Sequence, residues 1–410
     1  MVSQYVSNHR DHRAHTEAPA DTYIATLFRR PLWALCPLWF KSLFVSFVPS
    51  WFVLENLTMP TTCVLEGIDE YRVTEPVFEA FRIVLTHYGA PYSPAYLQGL
   101  SGAAFRIAGI CPCAPTVSTA CKYEDFVTGL GYQIQTFSPF AAGTGHNSDN
   151  EFSDLMTTDD LPPLEKLSAD AAPIHAAALV ANAAIKAHLR AGHPAVVWHA
   201  FTTTENDVVC GYDDATGEWL GRGTYHGARG PYARATQYRW LRCMQVGGWP
   251  LAHLITPGTG QVDLPALERA ALAEAVRHGR DPERFGHANI RVGLNAYNQW
   301  ALDWQSPTKK RDGGDFYCYL IYCSTHAAAA DFLREIAPRH PAARDALVTA
   351  ADHFAAEAHA LLAAEAFFRH GTPAGPFDDG NRAVARRLAA ARDHYAAAID
   401  HLERALPQLS

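Results

Sequence analysis

The C-terminal part of the chain, residues 263–410, carries apolar side chains at the spacing of helices that pack against one another. Apolar residues recur every three, four and seven positions, which places them on one face of a helix. Many other positions are alanine, which has the highest helix propensity and allows close approach. The pattern predicts an all-α bundle, with helices over residues 265–277, 293–304, 316–336, 341–370 and 379–406.

Residues 59–262 follow a different pattern, in which a pair of helices precedes several short strands. Glu75 and Pro76 open a helix that Gly89 ends, since proline suits a first turn and glycine suits the position after the last one. Further helices are predicted over 94–100 and 171–191. Strand-like alternation and short apolar runs predict an α+β arrangement, with a turn leading into a strand over 101–107 and strands over 131–137, 193–201, 207–214 and 218–221.

Residues 1–58 share neither pattern. The apolar run 31–54 is long enough to span a bilayer, but two prolines interrupt it and Lys41 lies near its middle, where a charge is costly. We therefore interpret residues 1–58 as an extension upstream of the functional protein, with Met59 as its natural start. A membrane anchor and a packed arm are the alternatives.

The composition narrows the classes of function. The chain is 48% hydrophobic and 19% charged, as in globular proteins. Its net charge of −8, without a long run of Lys and Arg, argues against nucleic-acid binding. Nine cysteines without paired spacing predict reduced thiols in a cytoplasmic protein, because a disulfide scaffold needs an even, regularly spaced set.

Four segments of the α/β part resemble a known family: the helix ending in HYG at Gly89, LQGLSGAAFRI at 97–107, AIKAHLRAGHPAVVWHAF at 184–201 and NDVVCGYDDATGEW at 206–219. They are similar to the papain-like cysteine peptidase superfamily, in particular to its bacteriocin-leader peptidase branch and the butirosin-biosynthesis protein H type. The resemblance implies a papain-like α/β domain, residues 59–262, followed by a helical domain, residues 263–410. The named member of that type moves an acyl group from a carrier protein onto an aminoglycoside.

The resemblance also implies where a catalytic triad would lie. In such enzymes a cysteine stands at the N-terminus of the first helix, where the helix dipole lowers the thiol pKa. Pro76 holds that place here, next to Glu75. Glu205 holds the place of the histidine, and the following strand, 219–223, lacks the acid that would orient it. Because all three roles are vacant, we expect the fold without papain-type peptidase activity.

We therefore expect a catalytically degenerate protein that binds a small molecule, a peptide, an amide or a carrier-linked acyl group in bacterial secondary metabolism. We expect no cofactor, no metal, no nucleic-acid partner and no membrane partner. The alternative is an acyl- or amide-transferring or cysteine-peptidase-like enzyme with a relocated nucleophile, because nucleophile and base need only be neighbours in space. The candidates for that alternative are Cys111, Cys113 and Cys121, with His199 as the base.

A ligand pocket is predicted at the N-terminus of the helix that begins at Pro76. The unpaired N–H groups there favour a carboxylate or a carbonyl oxygen, and Glu75 would supply one from within the chain. The alternative is that the aromatic side chains of this set only pack the two domains together. The predicted lining consists of Glu75, Trp198, His199, Tyr212, Tyr297 and Trp300.

Overall fold

A computed structural model describes residues 60–90, 92–109, 123–137, 172–202, 205–224, 231–239, 252–280, 291–306, 313–365 and 379–409. Residues 61–410 form one compact unit. The segment 1–58 lies outside the described residues, as do Cys111, Cys113 and Cys121. Within the described ranges, every helix is too short or too polar to cross a membrane.

The strands confirm a mixed fold built on an antiparallel sheet. Seven strands form this sheet in the order β3-β8-β4-β5-β6-β7, with β1 paired to β5, while β2 and β9 pair separately. The described strands are β1 Thr62–Val64, β2 Ala108–Gly109, β3 Tyr132–Phe137, β4 Ala195–Trp198, β5 Asn206–Asp213, β6 Glu218–Arg222, β7 Ala233–Thr236, β8 Ala252–Pro257 and β9 Arg291–Val292.

Most helices lie where their start and stop signals predict them, but the helix predicted over 341–370 ends at Leu362, and the sequence analysis does not predict the helix Tyr123–Gly129. The first begins at Pro76 and the chain leaves it through Gly89, which has a φ of 78°. The described helices are α1 Pro76–His87, α2 Pro94–Leu100, α3 Tyr123–Gly129, α4 Ala172–Arg190, α5 Leu264–Arg280, α6 Gly293–Asp303, α7 Gly313–Ile336, α8 Arg344–Leu362 and α9 Asp379–Ala405.

The strand predicted after Ser101 is wrong. The chain instead forms a short 3₁₀ helix, Ala103–Phe105, and only Ala108–Gly109 pairs as a strand. Gly102 causes the turn, because its φ of 83° is a left-handed conformation that most residues avoid. Phe105 is thereby buried in the core and does not alternate along a sheet.

One apolar core joins the sheet region to the helical region. The Phe105 ring lies 5.9 Å from the ring of Phe332 in α7 and 5.4 Å from that of Phe354 in α8. The hydroxyl of Tyr395 in α9 donates to the Phe105 carbonyl at 2.9 Å. On the sheet, Val208 belongs to this core, which includes the buried face of α1.

Candidate functional site

The N-terminus of α1 is closed by a buried carboxylate. Glu75 is the N-cap residue and is fully buried. Its Oε1 accepts from the backbone N–H of Val77 at 2.9 Å, and its Oε2 accepts from that of Phe78 at 2.8 Å. The Gln98 amide donates to the same Oε2 at 3.0 Å. A buried acid therefore caps the helix directly before Pro76, the position where the resemblance expects a cysteine.

Burial and hydrogen bonding act on Glu75 in opposite directions. Burial raises the pKa of the carboxyl, while the Gln98 amide and the backbone N–H groups lower it, and the net change is a rise. One turn further, Glu79 accepts from the Arg82 Nε at 2.8 Å. Burial raises the pKa of Glu79 to about 7 although the Arg82 guanidinium opposes the rise. Two buried acids therefore lie on the first turn of one helix.

The second vacant position, Glu205, lies at the turn between β4 and β5. The His199 backbone N–H donates to the Glu205 carbonyl at 2.7 Å, and both residues are buried. His199 has a φ of 57°, the only positive value for a residue other than glycine among the described residues. Such a conformation costs energy and persists where the surroundings impose it, often at binding and catalytic sites.

Asp207 holds this turn together from inside. Its Oδ2 accepts from the N–H groups of Phe201 at 2.6 Å and Thr202 at 2.7 Å, and its Oδ1 accepts from that of Thr224 at 3.2 Å. The residue is fully buried. Burial raises its pKa to about 7, while the N–H groups partly oppose the rise.

Tyr71 connects the turn to α1. Its hydroxyl donates to the Asn206 carbonyl at 2.7 Å. Burial first, and then the nearby charges of Asp207, Glu79 and Glu205, raise its pKa well above the ordinary value. Tyr71 therefore lies within electrostatic range of acids on both elements, Glu79 of α1 and Glu205 of the turn. The resemblance expects a cysteine at Pro76 and a histidine at Glu205, so an acid occupies the second position and adjoins the first.

The described thiols are poorly suited to nucleophilic catalysis, which requires the thiolate. Burial raises the pKa of Cys63, and it raises those of Cys210 and Cys323 to about 12. Cys210 lies on β5 inside the core. The weak candidates Cys111, Cys113 and Cys121 lie outside the described residues, so their pairing with His199 stays a prediction.

The predicted pocket residues fall into separate places. Trp198 is buried at the end of β4, next to His199. Tyr212 lies in the core on the α4 side of the sheet, and its hydroxyl accepts from Arg190 at 3.1 Å. A β-bulge between Val209 and Gly211 explains this, because one extra residue reverses the alternation after it. Tyr212 therefore does not share a site with Glu75.

Tyr297 and Trp300 lie on α6 within the helical bundle. Tyr297 is fully buried, whereas Trp300 is half-buried with its ring 5.9 Å from that of Tyr322. The bundle does approach α1, because the Thr74 N–H donates to the Ser324 hydroxyl of α7 at 3.1 Å. The described contacts of Tyr297 and Trp300 lie within the bundle, with Glu357 and Tyr322, so both the pocket and its packing alternative stay predictions.

A buried polar cluster in the bundle escaped the sequence analysis. Glu357 of α8 accepts from the Tyr297 hydroxyl and, at 2.6 Å, from Nδ1 of His326 in α7. The other nitrogen of His326 donates to the Arg106 carbonyl at 2.7 Å. The sequence does contain a sign of this cluster. Glu357 follows Phe354 by three positions, so an acid lies on the apolar stripe of α8.

Among the described residues, no group of three or more His, Cys, Asp and Glu side chains is arranged to hold a metal ion. No family model matches the sequence, and no curated protein matches it at a significant level.

Proposed function

We propose that this chain is a non-catalytic protein of the papain-like type that binds a peptide, an amide or a carrier-linked acyl group. The ligand contacts the region where the N-terminus of α1 meets the turn between β4 and β5. The resemblance implies a role in bacterial secondary metabolism, and the unpaired cysteines predict a cytoplasmic location.

The observation that carries the proposal is the cap formed by Glu75. A carboxylate bonded to Val77, Phe78 and Gln98 cannot attack a carbonyl carbon as a thiolate does, because its oxygens are already engaged. Glu205 likewise cannot act as the imidazole base of a papain-like triad. Pro76 with its buried neighbour Glu75, and the acid at Glu205, favour binding over peptidase chemistry.

The turn itself supports a binding role. His199 keeps a left-handed backbone conformation that a purely structural turn would ordinarily give to glycine or asparagine. Strained residues of this kind are often retained at ligand sites. His199 also offers an imidazole that can bond an amide or a thioester carbonyl.

The test uses two probes with the full chain: the N-acetylcysteamine thioester of hexanoic acid, which imitates a carrier-linked acyl group, and N-acetyl-dialanine amide. Saturation-transfer NMR measures binding, and release of free thiol from the thioester measures turnover. We expect binding of at least one probe without thiol release. Binding of neither probe would contradict the proposal.

Two matched variants locate the site. His199→Asn tolerates the same backbone conformation but removes the imidazole, and loss of one hydrogen bond should weaken binding up to about tenfold. His359→Asn, at an exposed position in the last turn of α8, should bind like the parent chain. Thioester cleavage that iodoacetamide abolishes would instead favour the relocated-nucleophile enzyme.

A further inference from the structure

The C-terminal ends of α1 and α4 meet at a pair of histidines. After α4 the chain turns through Gly192, which has a φ of 88°. The His193 N–H donates to the His188 carbonyl at 3.1 Å and the Gly192 N–H to the Leu189 carbonyl at 2.9 Å. These two bonds form a Schellman cap. At the end of α1, Nε2 of His87 bonds the Gly192 carbonyl at 2.9 Å.

The cap fixes the spacing of two imidazole rings. His188 lies in the last turn of α4 and His193 directly follows the capping glycine. Their ring centroids are 5.1 Å apart, with the planes inclined by 45°. Two imidazoles bound to one tetrahedral zinc ion, each through a Zn–N bond of about 2.0 Å, have ring centroids roughly 5 Å apart. The pair therefore has the separation that a shared metal ion requires.

Each ring carries a buried nitrogen that lacks a hydrogen-bond partner among the described residues: Nε2 of His188 and Nδ1 of His193. The His188 side chain is only 8% exposed. Backbone groups of Ile255 and Pro194 lie near this imidazole and partly oppose the fall of its pKa. In a neutral imidazole one of the two nitrogens carries a lone pair that can bind a metal ion.

The surroundings leave the His188 imidazole neutral, as a metal ligand must be. Two helix C-termini concentrate partial negative charge at this point. Burial, and after it His193, lower the pKa of His188 to about 4, so the ring is neutral near pH 7. Neutral imidazole is a good ligand for Zn²⁺, Cu²⁺ and Ni²⁺. A metal ion would satisfy both unpaired nitrogens at once.

We propose that His188 and His193 bind one divalent transition-metal ion, Zn²⁺ or Cu²⁺, through Nε2 and Nδ1 respectively. Water completes the coordination, so the site is exchangeable. The His87 bond to Gly192 holds the capping turn that sets the distance between the ligands.

The test is calorimetric titration of ZnCl₂ into the full, tag-free chain at pH 7.5. We expect one ion per chain at this pair, and at least about a tenfold loss of affinity in His193→Gln, since even outer-shell changes can cost that much. His188→Gln should do the same. His193 is half-buried, so its variant should fold even if the His188 variant does not. Circular dichroism checks both folds.

Two controls separate this site from other histidines. His359→Gln removes an exposed ring and should leave zinc binding unchanged. His353→Gln disrupts a second ring pair, in which His353 and His401 lie 5.5 Å apart between α8 and α9. With CuCl₂, the electron paramagnetic resonance spectrum should show two coupled nitrogens in the parent chain and one in His193→Gln. Binding unaffected by His193→Gln, binding lost only in His353→Gln, or no zinc binding would each overturn the proposal.

Discussion

Buried carboxylates are satisfied differently in the sheet region and in the helical bundle. Glu75 and Asp207 accept mainly from backbone N–H groups, at a helix N-terminus and at a turn between strands. Glu268 and Glu357 lie in the middle of helices and accept from side chains. The difference follows from the backbone, because mid-helix N–H groups are already bonded within their own helix. A buried acid between helices therefore needs a tyrosine, a histidine or an arginine.

The largest effect should come from Asp207→Ala, because three N–H groups would lose their acceptor in a site that excludes water. At 1–3 kcal/mol for each unsatisfied group, we expect a loss of about 4 kcal/mol in the free energy of unfolding. Urea unfolding measures it. Asp213→Ala, at the partly exposed end of β5, is the control: water can replace its carboxylate at the Ala215 and Thr216 N–H groups, so its loss should be smaller. A loss below about 1 kcal/mol for Asp207→Ala would show that the turn does not depend on this acid.

The counterpart in the bundle is Glu268→Gln. Glu268 accepts from the Tyr96 hydroxyl at 2.8 Å, Arg339 at 2.9 Å and His340 at 2.9 Å. Glu268 is fully buried, but Arg339 is 36% exposed, so water partly compensates its charge and we expect a loss of at most about 3 kcal/mol. The double variant Glu268→Gln with Arg339→Gln should be more stable than the sum of the single effects predicts. Strict additivity would contradict the proposed dependence on paired side chains.

The cap on α1 should contribute less. Glu75→Ala removes the acceptor of two N–H groups and of the Gln98 amide, and we expect a loss of about 2 kcal/mol, the upper end for N-caps. Ser93→Ala is the comparison, because Ser93 caps α2 through the Tyr96 N–H and otherwise donates only to Glu335 at an exposed position. Its loss should be about 1 kcal/mol. Equal losses in the two variants would mean that Gln98 adds nothing to the cap.

Asp207 in the sheet region and His326 in the bundle should make stability depend on pH in different ranges. Burial raises the pKa of Asp207 from 3.8 to about 7, so the folded chain holds this proton more tightly than the unfolded chain. The contribution of Asp207 to the free energy of unfolding therefore falls as the pH rises from about 4 to about 7. The fall is at most about 1.4 kcal/mol for each pH unit. Asp207→Asn should flatten this part of the profile, measured by urea unfolding at successive pH values.

His326, in the bundle, affects the free energy of unfolding in a higher pH range. Burial lowers its pKa and the Glu357 carboxylate raises it, with a net rise above 6.5. A histidine with a raised folded pKa contributes stability that is present below 6.5 and lost as the pH passes the folded value. His326→Gln should therefore change the profile above pH 6.5 and leave the acidic part intact. The same change at all pH values would argue against the ion pair.

Much of the framework could be predicted from the sequence because its signals are local. Pro76 and Gly89 fix the ends of α1, and the apolar stripes fix the bundle helices. The bulge that turns Tyr212 to the α4 side depends on pairing with β6, which local alternation does not encode. The sequence predicts that Glu75 caps α1. It does not predict the hydrogen bond from Gln98, because α2 brings that amide to α1 only through tertiary packing.

The central claim is that the position expected for a cysteine nucleophile is held by Pro76, next to the buried acid Glu75, and that no activated thiol replaces it. The direct measurement is iodoacetamide labelling of all nine cysteines at pH 7, followed in time by peptide mass spectrometry. We predict that Cys63, Cys210 and Cys323 react more slowly than a free thiol, because burial raises their pKa values. We also predict that no other cysteine is faster than a free thiol. Rapid, stoichiometric labelling of Cys111, Cys113 or Cys121, with loss of thioester cleavage, would contradict the account.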